Sequence, residues 1–234
     1  MSEFLEDRYK RNFNSLSLED QKRLAKARVI VIGLGGLGGG VCEILARTGV
    51  GHLTLVDGDR FDPTNLNRQL LSREDLVGTP KALAAEERIR AINSDIRVEA
   101  RVEYADTKSL PGLVRGMDLV VDCLDTIDAR FLVQDAAQGA GIPLVSGAIA
   151  GMTGQVTTVF PKDRGIELIY GPREECGSTG IETLTGNLAA CALMTAALQA
   201  SESIKVLLGR GQILRNKLLI ADLWSNGFET VDLE

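Results

Sequence analysis

Apolar positions along the chain fall into runs and stripes that alternate. Val29-Ile30-Val31-Ile32 and His52-Leu53-Thr54-Leu55-Val56 are continuous apolar runs, the pattern of strands buried on both faces of a parallel sheet. Between them, residues 36–48 carry helical periodicity, and Lys81 to Ile92 places Leu83, Ile89 and Ile92 on one stripe behind Pro80, which suits a helix start. Ile96 to Val102 alternates as a strand, and Leu119-Val120-Val121 is a buried strand running into Asp122-Cys123-Leu124-Asp125, an acid pair expected to face a site. A helix over 129–140 and strands over 143–146 and 154–160 follow. Before the first strand, the mixed segment Glu3 to Phe13 and a capping box at Ser17 and Asp20 predict two short helices, the second reaching about Ala27.

The rhythm weakens after residue 160. Pro161 to Gly180 is rich in glycine, proline and charge and reads as a long mobile loop. Thr185 to Leu208 is apolar nearly all round, as befits a helix buried in a core or a subunit interface. Leu214 to Leu223 and Phe228 to Leu233 pair as a hairpin around Asn226-Gly227. The expected fold is α/β, a mostly parallel sheet flanked by helices with antiparallel strands at the C-terminus. One domain spans 1–234: an N-terminal helical segment (1–27), a core (28–160), a crossover loop (161–183), then a helix and hairpin (184–234).

The glycines change this from a fold into a site. Gly33, Gly35 and Gly38 have the G-x-G-x-x-G spacing of a tight turn that lets backbone approach a phosphate, and the helix behind them aims free N–H groups at an anion. Asp57 closes the next strand about twenty residues on, where an acid accepts hydrogen bonds from a ribose. These features define a Rossmann-like nucleotide-binding unit without saying which nucleotide. The polar stretch from Gly58 to Gln69 is too irregular for regular structure and reads as a functional loop.

Composition narrows the partners. With 234 residues and 44% apolar content the chain supports a sizeable core, and a net charge of −6 supplies no basic field for nucleic acid or anionic lipid. Four cysteines, Cys42, Cys123, Cys176 and Cys191, form no C-x-x-C pair, so neither a disulfide framework nor a structural zinc site is expected. The polar, acidic start lacks a signal-peptide pattern and no uncharged run is read as spanning a bilayer, so a soluble, cytoplasmic protein with reduced thiols is expected.

Taken together, the glycine stretch, Leu55-Val56-Asp57-Gly58-Asp59, Asn65-Leu66-Asn67-Arg68-Gln69, Pro80-Lys81 and Asp122-Cys123-Leu124-Asp125 resemble the ThiF/MoeB/HesA adenylyltransferases, relatives of ubiquitin-activating enzymes. Arg8-Tyr9-Lys10-Arg11 and Ala200-Ser201-Glu202-Ser203-Ile204-Lys205 are similar to that family's N-terminal and late-helix segments. The resemblance covers nearly the whole chain. It implies that Mg·ATP adenylates the C-terminal glycine carboxylate of a small ubiquitin-fold sulfur carrier of the ThiS/MoaD kind, ending in Gly-Gly, with release of pyrophosphate.

By the same resemblance, Gly33, Gly35 and Gly36 lie against the nucleotide, Asp57 holds the ribose, and Asp59 and Thr126 face the nucleotide. Asn65 and Arg68 reach the phosphates, Lys81 stabilises α-phosphate charge, Asp125 carries Mg²⁺, and Arg11 reaches the partner's phosphates across a homodimer. Cys176 is the candidate thiol for a later covalent or sulfur-transfer step, with Glu174 and Glu175 beside it working against its reactivity. Individually, Asn65 also fits a turn former, Lys81 and Arg68 solvated cations, and Asp125 a helix cap.

This chain departs from the family's pattern in three places. The paired cysteines of its zinc site are absent, Thr126 stands where relatives commonly have asparagine, and no rhodanese-like extension follows residue 234, so sulfur would come from an external donor. Other classes remain open: an enzyme acting on threonylcarbamoyladenosine in tRNA, a dehydrogenase, or a non-catalytic partner-binding subunit.

Overall fold

The computed structural model of the protein describes residues 7–176 and 185–233. In chain order its regular elements are α1 (Leu18–Leu24), β1 (Arg28–Ile32), α2 (Gly38–Thr48), β2 (His52–Val56), α3 (Lys81–Ile92), β3 (Arg97–Arg101) and the single turn α4 (Leu110–Leu113). Then come β4 (Leu119–Asp122), α5 (Ile127–Ala140), β5 (Leu144–Ala150), β6 (Thr153–Val159), the turn α6 (Glu167–Tyr170), α7 (Ala189–Leu208), β7 (Lys217–Asp222) and β8 (Gly227–Asp232).

All eight strands join one sheet in the order β3-β2-β1-β4-β5-β6-β7-β8. The pairings from β3 through β5 are parallel and those from β5 through β8 antiparallel, which is the expected Rossmann-like architecture. Successive strand residues point to opposite faces, so the unbroken run in β1 is divided between two cores. Val29 and Val31 pack with Leu45, Leu53, Leu55 and Ile89 on one side, while Ile30 and Ile32 pack with Val120, Phe131 and Leu144 on the other. Because the chain leaves β1 for β2 on one side and reaches β4 on the other, a crevice opens at the carboxyl ends of these strands.

Helix α7 covers the sheet where parallel pairing gives way to antiparallel. Its Gln199 Nε2 donates to the Asp122 carbonyl (2.6 Å) and the Val145 carbonyl (3.2 Å), tying it across β4 and β5. Glu202 accepts from Thr158 Oγ1 at 2.8 Å. Among the described helices α7 is long and apolar enough to cross a membrane, yet half of it is buried inside the fold and its inward face carries these polar groups. The expectation of a helix buried in a core describes it well.

Several boundaries differ from the sequence reading. Strands β5 and β6 are one continuous hairpin in which Ala150 pairs with Thr153 across a tight turn containing Gly151 at φ +62°. The strand was expected to stop at Ser146; seven register pairs with β6 hold it extended through Ala150. α4 was not anticipated. The segment expected to be a long mobile loop is partly ordered over its described part, by α6 and a 3₁₀ turn at Arg173–Glu175. Residues 177–183 of the expected crossover loop, and residues 3–6 of the expected first helix, lie outside the described residues.

The turn after β1 is a steric lock. Gly33 sits at φ +87°, and a Cβ on Gly38 would lie 1.8 Å from the Gly33 carbonyl oxygen. A Cβ on Gly35 would meet nothing closer than the Gln69 amide at 3.6 Å. Gly38→Ala is therefore expected to lower unfolding free energy by roughly 1–3 kcal/mol, as overpacking does. Gly35→Ala should stay within about 0.5 kcal/mol of wild type. Urea unfolding of the two variants checks this, and equal stabilities would refute the lock.

Candidate active site

The turn points α2 into the crevice. Its N-cap is Leu37, which makes no side-chain cap bond, and its first turn holds no acid, so its N-terminal N–H groups and positive dipole end are left for a ligand. The N-terminus of α5 opens on the same crevice, with Thr126 at its N-cap and no side-chain cap bond there either. Between them lies a cleft of about 420 Å³, within the range of small-molecule sites. Gly33, Gly35, Gly36, Asp57, Asp59, Arg68, Lys81, Asp125 and Thr126 all line it.

Each charged group there has a defined state. Asp57 accepts from the Leu34 N–H through Oδ2 (2.7 Å) and from the Asp59 N–H through Oδ1 (2.8 Å), which fixes its plane. Burial pushes its pKa up, against the pull of those two amides and Lys81. Asp59 receives the Tyr104 hydroxyl on Oδ1 (2.8 Å) and the Lys81 ammonium on Oδ2 (3.0 Å). Burial works against its charge as well, but Tyr104 and Lys81 outweigh it and hold its carboxyl below the ordinary range. Lys81 is thus neither solvated nor free: its side chain is 7% exposed and paired.

Arg68 differs. Its guanidinium donates to the Thr64 carbonyl (3.0 Å) and Asn67 Oδ1 (2.8 Å), both neutral oxygens, so its charge has no counter-ion among the described residues. Asp125 is exposed at the cleft, with Thr126 rather than Asp125 at the helix cap.

Other anticipated residues lie elsewhere. Asp122 does not face the site: it is fully buried and bonded to Arg130 (2.9 Å) and Ser146 Oγ (2.7 Å) beneath the cleft floor. The apolar strand that delivers it is buried on both faces, so its terminal acid turns inward. Asn65 serves the turn, its Oδ1 accepting from the Asp62 N–H (3.1 Å) in a capping box, and it does not line the cleft. Cys176 lies outside the cleft, half-buried, with Sγ donating to the Tyr170 carbonyl at 3.1 Å. Cys42, Cys123 and Cys191 are buried free thiols, and burial pushes Cys42 up to about 12. Arg11 is exposed and outside the cleft.

The cleft also contains residues that the sequence reading assigned no role: Gln69, Tyr104, Arg130, Tyr170 and Asn187. Burial opposes the charge of Arg130, but Asp122 beside it overrides this and raises its pKa. Arg130 also donates to the Gly147 carbonyl (2.8 Å) and the Leu124 carbonyl, binding the ends of β4 and β5 to α5. Gln69 stood inside a quoted motif; for the others, placement depends on chain crossings that no local pattern reports.

A doubly wound sheet with a glycine turn, an acid closing β2 and an arginine without a counter-ion among the described residues, all in one crevice, defines a nucleotide-binding α/β enzyme domain. The chain belongs to the ThiF family, whose model matches residues 9–234. It is 38% identical to the SAMP-activating enzyme E1 of Haloferax volcanii, covering 96% of this chain and 84% of that protein. It is 37% identical to the sulfur carrier protein adenylyltransferase of Thermus thermophilus, covering 95% and 85%. Among solved structures it superposes on E. coli MccB with ATP at a TM-score of 0.83 and 25% identity, covering 97% of this chain and 71% of that one.

The raised pKa of Asp57 predicts a pH signature. With Asp57 in the ribose-holding role that the resemblance implies, the carboxylate must be ionised, so ATP affinity is expected to fall as pH drops through the raised pKa, earlier than an ordinary aspartate at about 3.9 dictates. The stability term has the opposite sign: the folded chain holds this proton more tightly than the unfolded one, so the group's contribution grows on acidification. ATP titration across pH should show the affinity loss in wild type and a flattened profile in Asp57→Asn. Identical profiles would contradict it.

Proposed function

We propose that this adenylyltransferase activates the C-terminal glycine carboxylate of a small ubiquitin-fold sulfur-carrier protein as an acyl-adenylate, releasing pyrophosphate. The observation that carries the reading is the unpaired Arg68 guanidinium and the uncapped α2 N-terminus in one cleft with the exposed Asp125. Relatives named as sulfur-carrier and SAMP-activating enzymes support the carrier class.

The carboxylate is already ionised, so the reaction needs no base. One of its oxygens attacks the α-phosphorus, an O–P bond forms, the bridge to the β-phosphate breaks, and the electron pair leaves with pyrophosphate. What the site must supply is positive potential as anions converge, and Arg68, Lys81 and the α2 dipole supply it. Lys81 is held by Asp59 and meets phosphate by sharing that partner, whereas Arg68 changes only neutral contacts. The exposed carboxylate of Asp125 fits Mg²⁺, which takes one or two carboxylates plus substrate phosphates; bound there, the ion would neutralise developing phosphate charge.

Arg11 enters from a second copy in this reading. Its segment is pinned to the far end of α2, where Gln21 Nε2 donates to the Thr48 carbonyl (2.8 Å) and Tyr9 packs beside Gly49. The phosphate turn lies at the other end of that helix, about 16 Å away at 1.5 Å per residue. Cys176 would act after adenylation, its thiolate attacking the acyl carbonyl and expelling AMP. Because Sγ is turned into its own backbone, that step requires the 173–175 turn to open. An external donor supplies the sulfur.

Asp125→Ala and Arg11→Ala should each abolish carrier-dependent ATP–pyrophosphate exchange. Mixed and re-equilibrated, they should recover part of it, since one site per mixed dimer is complete. No recovery with mixed dimers demonstrated removes the trans role of Arg11; wild-type exchange in Asp125→Ala removes that of Asp125.

A further inference from the structure

The direction of the Lys81 ammonium is set from outside its own helix. Among the described residues its carboxylate partner is Asp59, through Oδ2 at 3.0 Å, so where Lys81 points depends on where that carboxylate is held. Asp59 is half exposed, and an aspartate carboxyl rotates broadly about its last bond unless its second oxygen is also engaged. Tyr104, on the segment that follows β3, engages it: its hydroxyl donates to Asp59 Oδ1 at 2.8 Å. Backbone bonds close the unit, the Lys81 N–H donating to the Asp59 carbonyl (2.9 Å) and the Asp59 N–H to Asp57 Oδ1 (2.8 Å).

Tyr104 is 72% exposed, and an exposed side chain with a single hydrogen bond is a weak prop. Its ring has a second anchor, however, in Gly58. A Cβ on Gly58 would stand 2.7 Å from the ring's Cγ and 2.8 Å from both Cδ atoms, so the ring lies face-on against the glycine and no larger residue fits beneath it. Gly58 does not have positive φ, so its backbone does not demand a glycine; the ring does. Seated on Gly58 and bonded to Asp59, Tyr104 is fixed at two points, which gives a physical reason for a glycine between the two acids of Asp57-Gly58-Asp59.

This fixture matters during charge transfer. As negative charge builds on the phosphates, the Lys81 ammonium is drawn toward them and away from Asp59. A carboxylate losing its cation beside Asp57 swings after the lysine unless another donor keeps it in place. The Tyr104 hydroxyl is that donor, and its bond to Asp59 raises its pKa, so it keeps its proton.

We propose that Tyr104 is a positioning residue for adenylyl transfer: acting through Asp59, which it shares with Lys81, it aims the ammonium and holds the carboxylate while the lysine serves the phosphates. Gly58 belongs to the same device as the seat of the ring. The proposal rests on the phosphate role given to Lys81 above.

Tyr104→Phe keeps the ring on Gly58 and removes only the hydroxyl. It should lower kcat for ATP–pyrophosphate exchange with a ThiS-type carrier about tenfold, the order of one hydrogen bond to a charged group, with KM for ATP and for carrier within about twofold of wild type. Placed on top of Asp59→Asn, the same substitution should cost less than about twofold more, because the path through Asp59 is already cut. Gly58→Ala lifts the ring and should repeat the kcat loss, yet add nothing when combined with Tyr104→Ala; if Gly58→Ala fails to fold, the Tyr104→Phe and Asp59→Asn pair carries the test. An unchanged kcat in Tyr104→Phe overturns the proposal, as does an equal loss with and without Asp59→Asn. A loss confined to the KM for ATP also overturns it, making Tyr104 a nucleotide contact. If wild type exchanges with no carrier, the carrier reading fails, and the proposal fails with it; the other outcomes are read only against an exchanging wild type.

Discussion

A carbonyl oxygen occupying the space of a missing side chain governs this molecule. The Gly33 carbonyl stands 1.8 Å from where a Cβ on residue 38 would be, so β1 can turn directly into α2. That turn aims an uncapped helix end along the carboxyl edge of the sheet. Moving the turn outward would shift the whole exposed end of α2, because the helix is also clamped behind it by the bond of Glu43 to Arg88 on α3.

Charge is distributed in the cleft according to what each group must do. Arg130 and Asp122 are buried together, a pairing that is weak as net stabilisation but costs about 3–5 kcal/mol to break from one side. The pair binds the ends of β4 and β5 to the start of α5, so the floor of the cleft is rigid. Lys81 is locked onto Asp59, itself oriented by Tyr104, so its ammonium is placed before any ligand arrives. Among the described residues Arg68 is held by neutral oxygens alone. One cation is fixed and the other adaptable.

The antiparallel half of the sheet completes the enclosure. Once β5 continues into the β6 hairpin, Tyr170 and Asn187 are brought to the cleft from segments far along the chain. Gln155 Nε2 donates to the Tyr170 hydroxyl (3.1 Å), and the Asn187 bridge to Gly151 fixes the far wall. One wall of the cleft is thus built by parallel βα units and the other by the later strands.

Patterns with a short period were readable without coordinates. The continuous runs of β1 and β2, the glycine spacing and Asp57 each report burial or backbone freedom within a few residues and lie where that reading put them, whereas the stripe read on α3 holds at Ile89 but not at Leu83, which is exposed while Ala82, Ala84 and Ala85 face the core. Where a residue's fate depends on a crossing strand, the sequence was silent or misleading. Asp122 looked like a site acid, and tertiary packing turned it to Arg130. The extension of β5 through Gly147-Ala148-Ile149-Ala150 depends on the partner strand alone. So the chain's local periodicity determined that a nucleotide unit forms and where its phosphate turn lies. Tertiary structure decided which charges are paired beneath the cleft and which stay without a counter-ion among the described residues, because desolvation and pairing arise only when distant segments close over one another.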